Sequence, residues 1–158
     1  MDANPEAQSA FIELLRLEFE QTQRLLELLQ QEYQLLQAAP SEALKKLQAE
    51  KKIQLEAVEK SATKHRQFLL KQGLTADRQG TETFLAGNSE VMALWKQYLT
   101  VLEKCQKQND INGGAVELNQ RQVNQALSIL LGMGNGNKTY GPSGEPRPTN
   151  PSKSLGKA

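Results

Sequence analysis

The chain is poor in the residues that build disulfide-stapled, membrane-spanning or thick-cored proteins. It has one cysteine, Cys105, so no internal disulfide can form. It has no apolar run of about 18 residues, so no segment reads as a membrane span. Met1-Asp2-Ala3-Asn4-Pro5-Glu6 lacks the basic and then apolar regions of a signal peptide, which makes the cytoplasm the expected compartment. Aromatic residues make up 5 % and hydrophobic residues 38 %, below ordinary globular usage. Neither sign of charge is in excess: 19 basic against 18 acidic residues leave a net +1, without the basic footprint of a nucleic-acid binder. Histidine is a single residue, His65, with no Cys or His at metal-ligand spacing, so no metal site is expected.

What remains is Leu, Gln, Glu, Lys and Ala, all strong helix formers, over residues 6–131. Asn4-Pro5-Glu6 reads as a helix start, with Asn at the N-cap and Pro at the first helical position. The first stripe repeats every seven residues at Ile12, Phe19, Leu26 and Tyr33. Leu15, Thr22, Leu29 and Leu36 lie three further on, widened by Leu14, Leu28 and Leu35. Ala38-Ala39-Pro40 ends this helix. Ser41 caps a second, whose weaker stripe is Leu44, Leu47, Leu55, Val58, Ala62 and Leu69, interrupted by Lys51 and His65, and Gly73 stops it. The lysines at 45, 46, 51 and 52 alternate with Glu42, Glu50 and Glu56 and read as a solvated face with pairs such as Glu42–Lys46 and Glu56–Lys60. A short connection makes the two long helices antiparallel neighbours.

Residues 73–87 read as a hinge around at most one helical turn at Glu82–Leu85. Asn88 or Ser89 caps a third helix with the stripe Val91, Trp95, Tyr98, Leu102 and Cys105. Asn109 to Gly114 is turn chemistry and breaks it. A fourth helix carries Val116, Val123, Leu127 and Leu130 on one face, with Leu118, Ile129 and Leu131 off it. That apolar surplus either receives a partner's amphipathic helix or is covered by the first two helices. The expected fold is therefore all-α: an elongated antiparallel bundle of two long and two shorter helices, forming one domain over residues 1–131. Residues 132–158 hold six of the eleven glycines and four of the six prolines, too little apolar material to offset ordering entropy, and read as a flexible tail.

Cys105 sits on an apolar helix face, where a cysteine is packing material, and no convergent set of titratable residues suggests catalysis. Gly132 to Asn137 ends a helix and precedes prolines, unlike a phosphate-cradling loop. Thr139-Tyr140-Gly141, a lone aromatic in the tail, suits a short linear motif or is an incidental tail residue.

The run Asn109-x-x-Asn112-Gly113-x-x-Val116-x-x-Asn119, then Val123, Ala126-Leu127 and Leu130, followed by Thr139-Tyr140-Gly141, resembles the C-terminal signature of the FlgN family of flagellar export chaperones. Glu50-Lys51, Leu55, Arg66, Leu69-Leu70 and Gly73 are similar to the family's second helix, and Leu94-Trp95 to its third. The resemblance implies a bacterial cytoplasmic chaperone, needing no cofactor, for the hook–filament junction proteins FlgK and FlgL. It implies that Asn112, Val116, Asn119, Val123, Leu127 and Leu130 hold the helical C-terminal ends of that cargo. It also implies that Tyr140 and Gly141 dock on the cytoplasmic domain of the export gate protein FlhA. The rival reading is a homo-oligomeric coiled-coil scaffold whose stripes serve self-association.

Overall fold

The structure is a computed structural model that describes residues 4–38, 41–113 and 117–135, the last stretch with side chains at 121–132. Its described residues form five helices: α1 (Pro5–Leu36), α2 (Glu42–Lys71), α3 (Arg78–Leu85), α4 (Ser89–Asn112) and α5 (Glu117–Asn135). The starts follow capping chemistry. Asn4, Ser41, Asp77 and Asn88 each accept a backbone N–H of the first turn, and Pro5 opens α1. Gly73, at φ 77°, closes α2 through paired bonds from Gly73 N to Leu70 O and from Leu74 N to Leu69 O. α1 and α2 are antiparallel, α4 packs parallel to α1, and α5 returns antiparallel to α4 along α2.

Three boundaries differ from the sequence reading. The segment 73–87 holds a full two-turn helix, α3. α4 continues through Asn109 to Asn112 and stops only at Gly113, because both asparagines are buried and bonded to other helices rather than to their own backbone. α5 continues four residues past Leu131, to Asn135, and residues 136–158 lie outside the described residues.

The α1 seam is shifted by one position from its expected register. Leu15, Thr22 and Leu29 are buried as read, but their companion row is Phe11, Glu18, Leu25 and Glu32. Ile12, Phe19 and Leu26 flank the core, and Tyr33 is exposed. On α2, Lys51 and His65 do not interrupt the stripe; they are the buried seam. Glu18 meets His65, with its Oε2 2.6 Å from Nδ1, and Tyr98 donates to Glu18 Oε1. Fourteen residues along every helix, about 21 Å by helical rise, the pattern repeats. Glu32 Oε2 accepts Lys51 Nζ at 2.6 Å, and Asn112 donates to Glu32 Oε1 and to Leu29 O. Each layer thus takes a carboxylate from α1, a nitrogen base from α2 and a donor from α4. Burial pushes the Glu18 carboxyl above its ordinary range, partly offset by the charge and hydrogen bond of His65 and the bond from Tyr98.

α3 caps the end of the bundle where Phe11, Phe68 and Phe84 meet with ring centroids 4.7–5.1 Å apart. Thr81 of α3 gives its hydroxyl hydrogen to Asp77 O, so it accepts from His65 Nε2 at 2.9 Å; His65 is bonded at both ring nitrogens. Glu82 accepts from Arg78 Nε and Trp95 Nε1. Gly80 is required for the turn before α3: a Cβ there would stand 1.8 Å from Thr75 O.

Three outcomes follow from this packing. Lys51→Met leaves Glu32 buried without its cation and should lower unfolding free energy by about 3–5 kcal/mol, whereas Glu32→Met with Lys51→Met should recover most of the loss; urea melts of the three chains check this. Gly80→Ala should cost about 1–3 kcal/mol through the forced backbone shift, read by the same melts. The third concerns acid. A hydrogen bond from Thr75, with the Gly80 N–H, holds Asp77 below its ordinary 3.8. Burial raises Glu82, but the Arg78 and Trp95 bonds outweigh it and leave Glu82 below its ordinary 4.5. Groups held low in the fold contribute stability above their ordinary values and lose it as pH falls through the folded ones. The α3 attachment should therefore loosen below pH of about 4, seen as a change in the fluorescence of Trp95, the sole tryptophan. Glu82→Gln with Asp77→Asn should flatten that acid limb.

Candidate interaction surface on the helical bundle

The residues the sequence singled out on the last helix are part of the core. Val123, Ala126, Leu127, Leu130 and Leu131 of α5 are buried against α4, α3 and α2. The reading of cover by the first two helices is met only in part: Val123, Leu127 and Leu130 are buried in a helix that packs on α2, α3 and α4 and not on α1. Asn112 is buried too and fully engaged with Leu29 and Glu32 on α1. Val116, Tyr140 and Gly141 lie outside the described residues, as does the side chain of Asn119. The structure therefore gathers Asn112, Val123, Leu127 and Leu130 into one interior, with only Ile129 of the described surplus turned outward, at 48 % exposure.

Two of the exposed large apolar residues, Leu70 and Ile129, lie by the seam where α2 and α5 meet. A cleft of about 120 Å³ opens there, lined by Glu59, Ala62, Thr63, Arg66, Ala126, Ile129 and Leu130. Ala62 and Ala126 are its small residues, which leaves the gap between the helices unfilled. Glu59, Thr63 and Arg66 are spaced along one face of α2, and Leu70, one turn further on that face, is 60 % exposed. Sequence reasoning missed this surface because Ala62 read as an ordinary stripe position and Ala126 was not singled out from the sequence pattern. The only usable signal was Ile129 off the α5 stripe.

Charge is divided between the helices. α1 carries six acidic and two basic residues, a net of −4; α2 carries eight basic and four acidic, a net of +4. α2 exposes Lys60, Lys64, Arg66 and Lys71, of which Arg66 lines the cleft together with Glu59. Among the described residues none of those four cations is in an ion pair, and Glu42 pairs with Lys45 rather than Lys46.

The thiol of Cys105 is buried between α4 and α1, where it donates to Thr22 O, and burial pushes it up to about 12. A thiol held neutral in this way is a packing group. Among the described residues no group of acids, histidines and cysteines could hold a metal ion, and no helix is long and apolar enough to cross a membrane.

Comparison with known proteins agrees with this helical body. A crystal structure of a protein from Pseudomonas aeruginosa, described as a flagella synthesis protein FlgN, is 25 % identical and superposes with a TM-score of 0.69, over 82 % of this chain and 99 % of that one. No curated protein matches the chain. The model of the family described as FlgN protein matches residues 1–148, which reaches beyond α5 and past Tyr140. A match over nearly the whole chain shows the family: this five-helix protein belongs to the FlgN family.

Proposed function

We propose that the chain is a cytoplasmic flagellar export chaperone. It holds the helical C-terminal ends of the hook–filament junction proteins FlgK and FlgL, prevents their premature assembly, and delivers them to the type III export gate through FlhA. The observation that carries this reading is family membership across residues 1–148, a span that includes both the helical body and the Thr139-Tyr140-Gly141 segment. Physical chemistry supports it. An amphipathic helix that later packs into a filament is hazardous when exposed, and a helical partner can mask it by extending a bundle without nucleotide or chemistry. A homo-oligomeric scaffold has less support, because the seams of α1, α2, α4 and α5 are consumed within one chain.

Holding and delivery are assigned to different parts of the chain. Cargo contact belongs to the helical body, and gate docking to Tyr140 and Gly141, beginning five residues beyond the end of α5. A tyrosine suits docking, since its ring offers apolar area and its hydroxyl a directed bond. Sites with no shared partner contribute additively. Tyr140→Ala should thus leave the affinity for FlgK and FlgL C-terminal segments within about twofold, while docking to the FlhA cytoplasmic domain falls and junction-protein secretion drops. Calorimetric titration against each partner, with a secretion assay, checks this; equal weakening toward both would overturn the division of labour.

A further inference from the structure

We propose that α3 is a proton-linked latch: docking it on the bundle takes up one proton at the Glu18–His65 pair, so the latch holds at lower pH and releases as pH rises. The direction of each hydrogen bond around one buried imidazole carries this inference.

The latch has a mechanical part. α3 stands between two glycines in the left-handed conformation, Gly73 at φ 77° and Gly87 at φ 91°. No atom lies within 4 Å of where a Cβ would stand on either, so neighbours do not restrain them. The helix is tied to the core at few points. These are Thr81 on His65, Glu82 on Trp95, Phe84 against Phe11 and Phe68, and buried Leu85. A short segment held by few contacts between two hinges opens as a unit, at lower cost than global unfolding. α3 also lies against α5, so its release removes a wall from the last helix.

The chemical part lies beneath. The Thr81 hydroxyl gives its hydrogen to Asp77 O at 3.0 Å, which leaves its oxygen to accept from His65 Nε2 at 2.9 Å. The docked state therefore needs a hydrogen on Nε2. Nδ1 faces Glu18 Oε2 at 2.6 Å, where two lone pairs cannot stand in contact, so a second hydrogen lies between ring and carboxyl. Tyr98 does not supply it, because it donates to the other oxygen, Oε1. The docked pair thus holds two hydrogens. When α3 swings away, water takes the place of Thr81, and water can donate to a bare Nε2. The pair then needs only the hydrogen facing Glu18 and releases the other to solvent. Docking takes that proton back.

The groups around the ring fit this count. It meets Phe11 and Glu18 from α1, Thr81 from α3 and Trp95 from α4. Behind Glu18 stands Tyr98, whose hydroxyl burial pushes well above its ordinary 10, and the Cys105 thiol is likewise held neutral. Asp77 is turned to Thr75 and the Gly80 N–H, and Glu82 to Arg78 and Trp95. Lys64 and Arg66, beside His65 on α2, are exposed. Burial holds the Glu18 carboxyl above its ordinary 4.5, the direction that keeps a proton in the pair. A group raised in the docked state contributes fully below its ordinary value and loses that contribution as pH rises through the raised one. The latch therefore weakens on the alkaline side, the limb opposite to that set by Asp77 and Glu82.

The test follows amide hydrogen exchange of the full chain by mass spectrometry between about pH 5 and 9, corrected for the hydroxide dependence of intrinsic exchange. Protection of residues 78–85 should fall with rising pH by up to about tenfold per unit, the slope of one proton. Protection in the middle of α2 should stay level. His65→Gln and Thr81→Val should each make α3 protection independent of pH, whereas Thr81→Ser should keep the slope. The nitrogen resonances of the sole histidine give a second reading that needs no variant, so a substitution that undocks α3 leaves the test intact. Nε2 should carry a hydrogen at neutral pH. A bare Nε2 would mean that the Thr81 hydroxyl turns to donate into the ring, and would overturn the proposal. Level protection of α3 in the parent, or a slope that survives His65→Gln, would overturn it as well.

Discussion

The rest of the structure hangs on two carboxylates that ought not to be buried. Glu18 and Glu32 sit in the middle of the α1 seam at 2 % and 1 % exposure. An ionised carboxylate in such a place is costly unless it is paired and hydrogen-bonded. Glu18 is met by His65 of α2 and Tyr98 of α4, and Glu32 by Gln48 and Lys51 of α2 and Asn112 of α4; that requirement fixes how three helices can be set against one another. An aliphatic seam tolerates a slip of one heptad at modest cost; here a slip of seven residues would set Glu18 beside Val58 instead of His65. The two layers stand two heptads apart on every helix, so the register is pinned at two heights. Buried polar groups are best attested as devices of this kind, selecting one alignment at some expense of raw stability.

The two ends of the bundle are held by different means. Around the Glu18 layer, aromatic rings from four helices stack and cross, and α3 closes the end through Thr81, Glu82 and Leu85. Around the Glu32 layer, Gln48, Lys51 and Asn112 surround one carboxylate, and Asn109 of α4 ties α5 through Asn124. A chain with only eight aromatic residues has placed five of them at the α3 end. The remaining surface of the bundle carries its excess of cations on α2.

Much of this was legible in the sequence, and the misses have a common cause. Caps and stops were readable because they depend on local chemistry: Asn4-Pro5, Ser41, Gly73 and Asn88 behave as single residues predict. The α1 row was displaced because Glu18 and Glu32 occupy two of its four positions, and hydrophobic periodicity cannot see a seam half made of acids. Lys51 and His65 were discounted for the same reason. Asn109 and Asn112 looked like turn residues because their tertiary partners, Asn124 and Glu32, are not adjacent in sequence. The family signature was visible in a stretch whose burial was not: Asn112, Val123, Leu127 and Leu130 are interior residues, and Ile129 beside them is exposed.

The parallel pairing of α1 with α4 has a consequence for how the chain is made. Glu18 waits for a partner 80 residues downstream, and Leu29 for one 83 residues downstream. At a synthesis rate of roughly 5–20 residues per second, that delay is on the order of 4–16 s. α2 ends at Lys71, 27 residues before Tyr98, so for the last part of that delay the α1–α2 hairpin has one of its faces uncovered, displaying Leu15, Leu25 and Leu29 beside an acid lacking its α4 donor. For those seconds the nascent protein has the same problem as an exposed amphipathic helix awaiting assembly, and α4 serves as its guardian, supplied by the same chain.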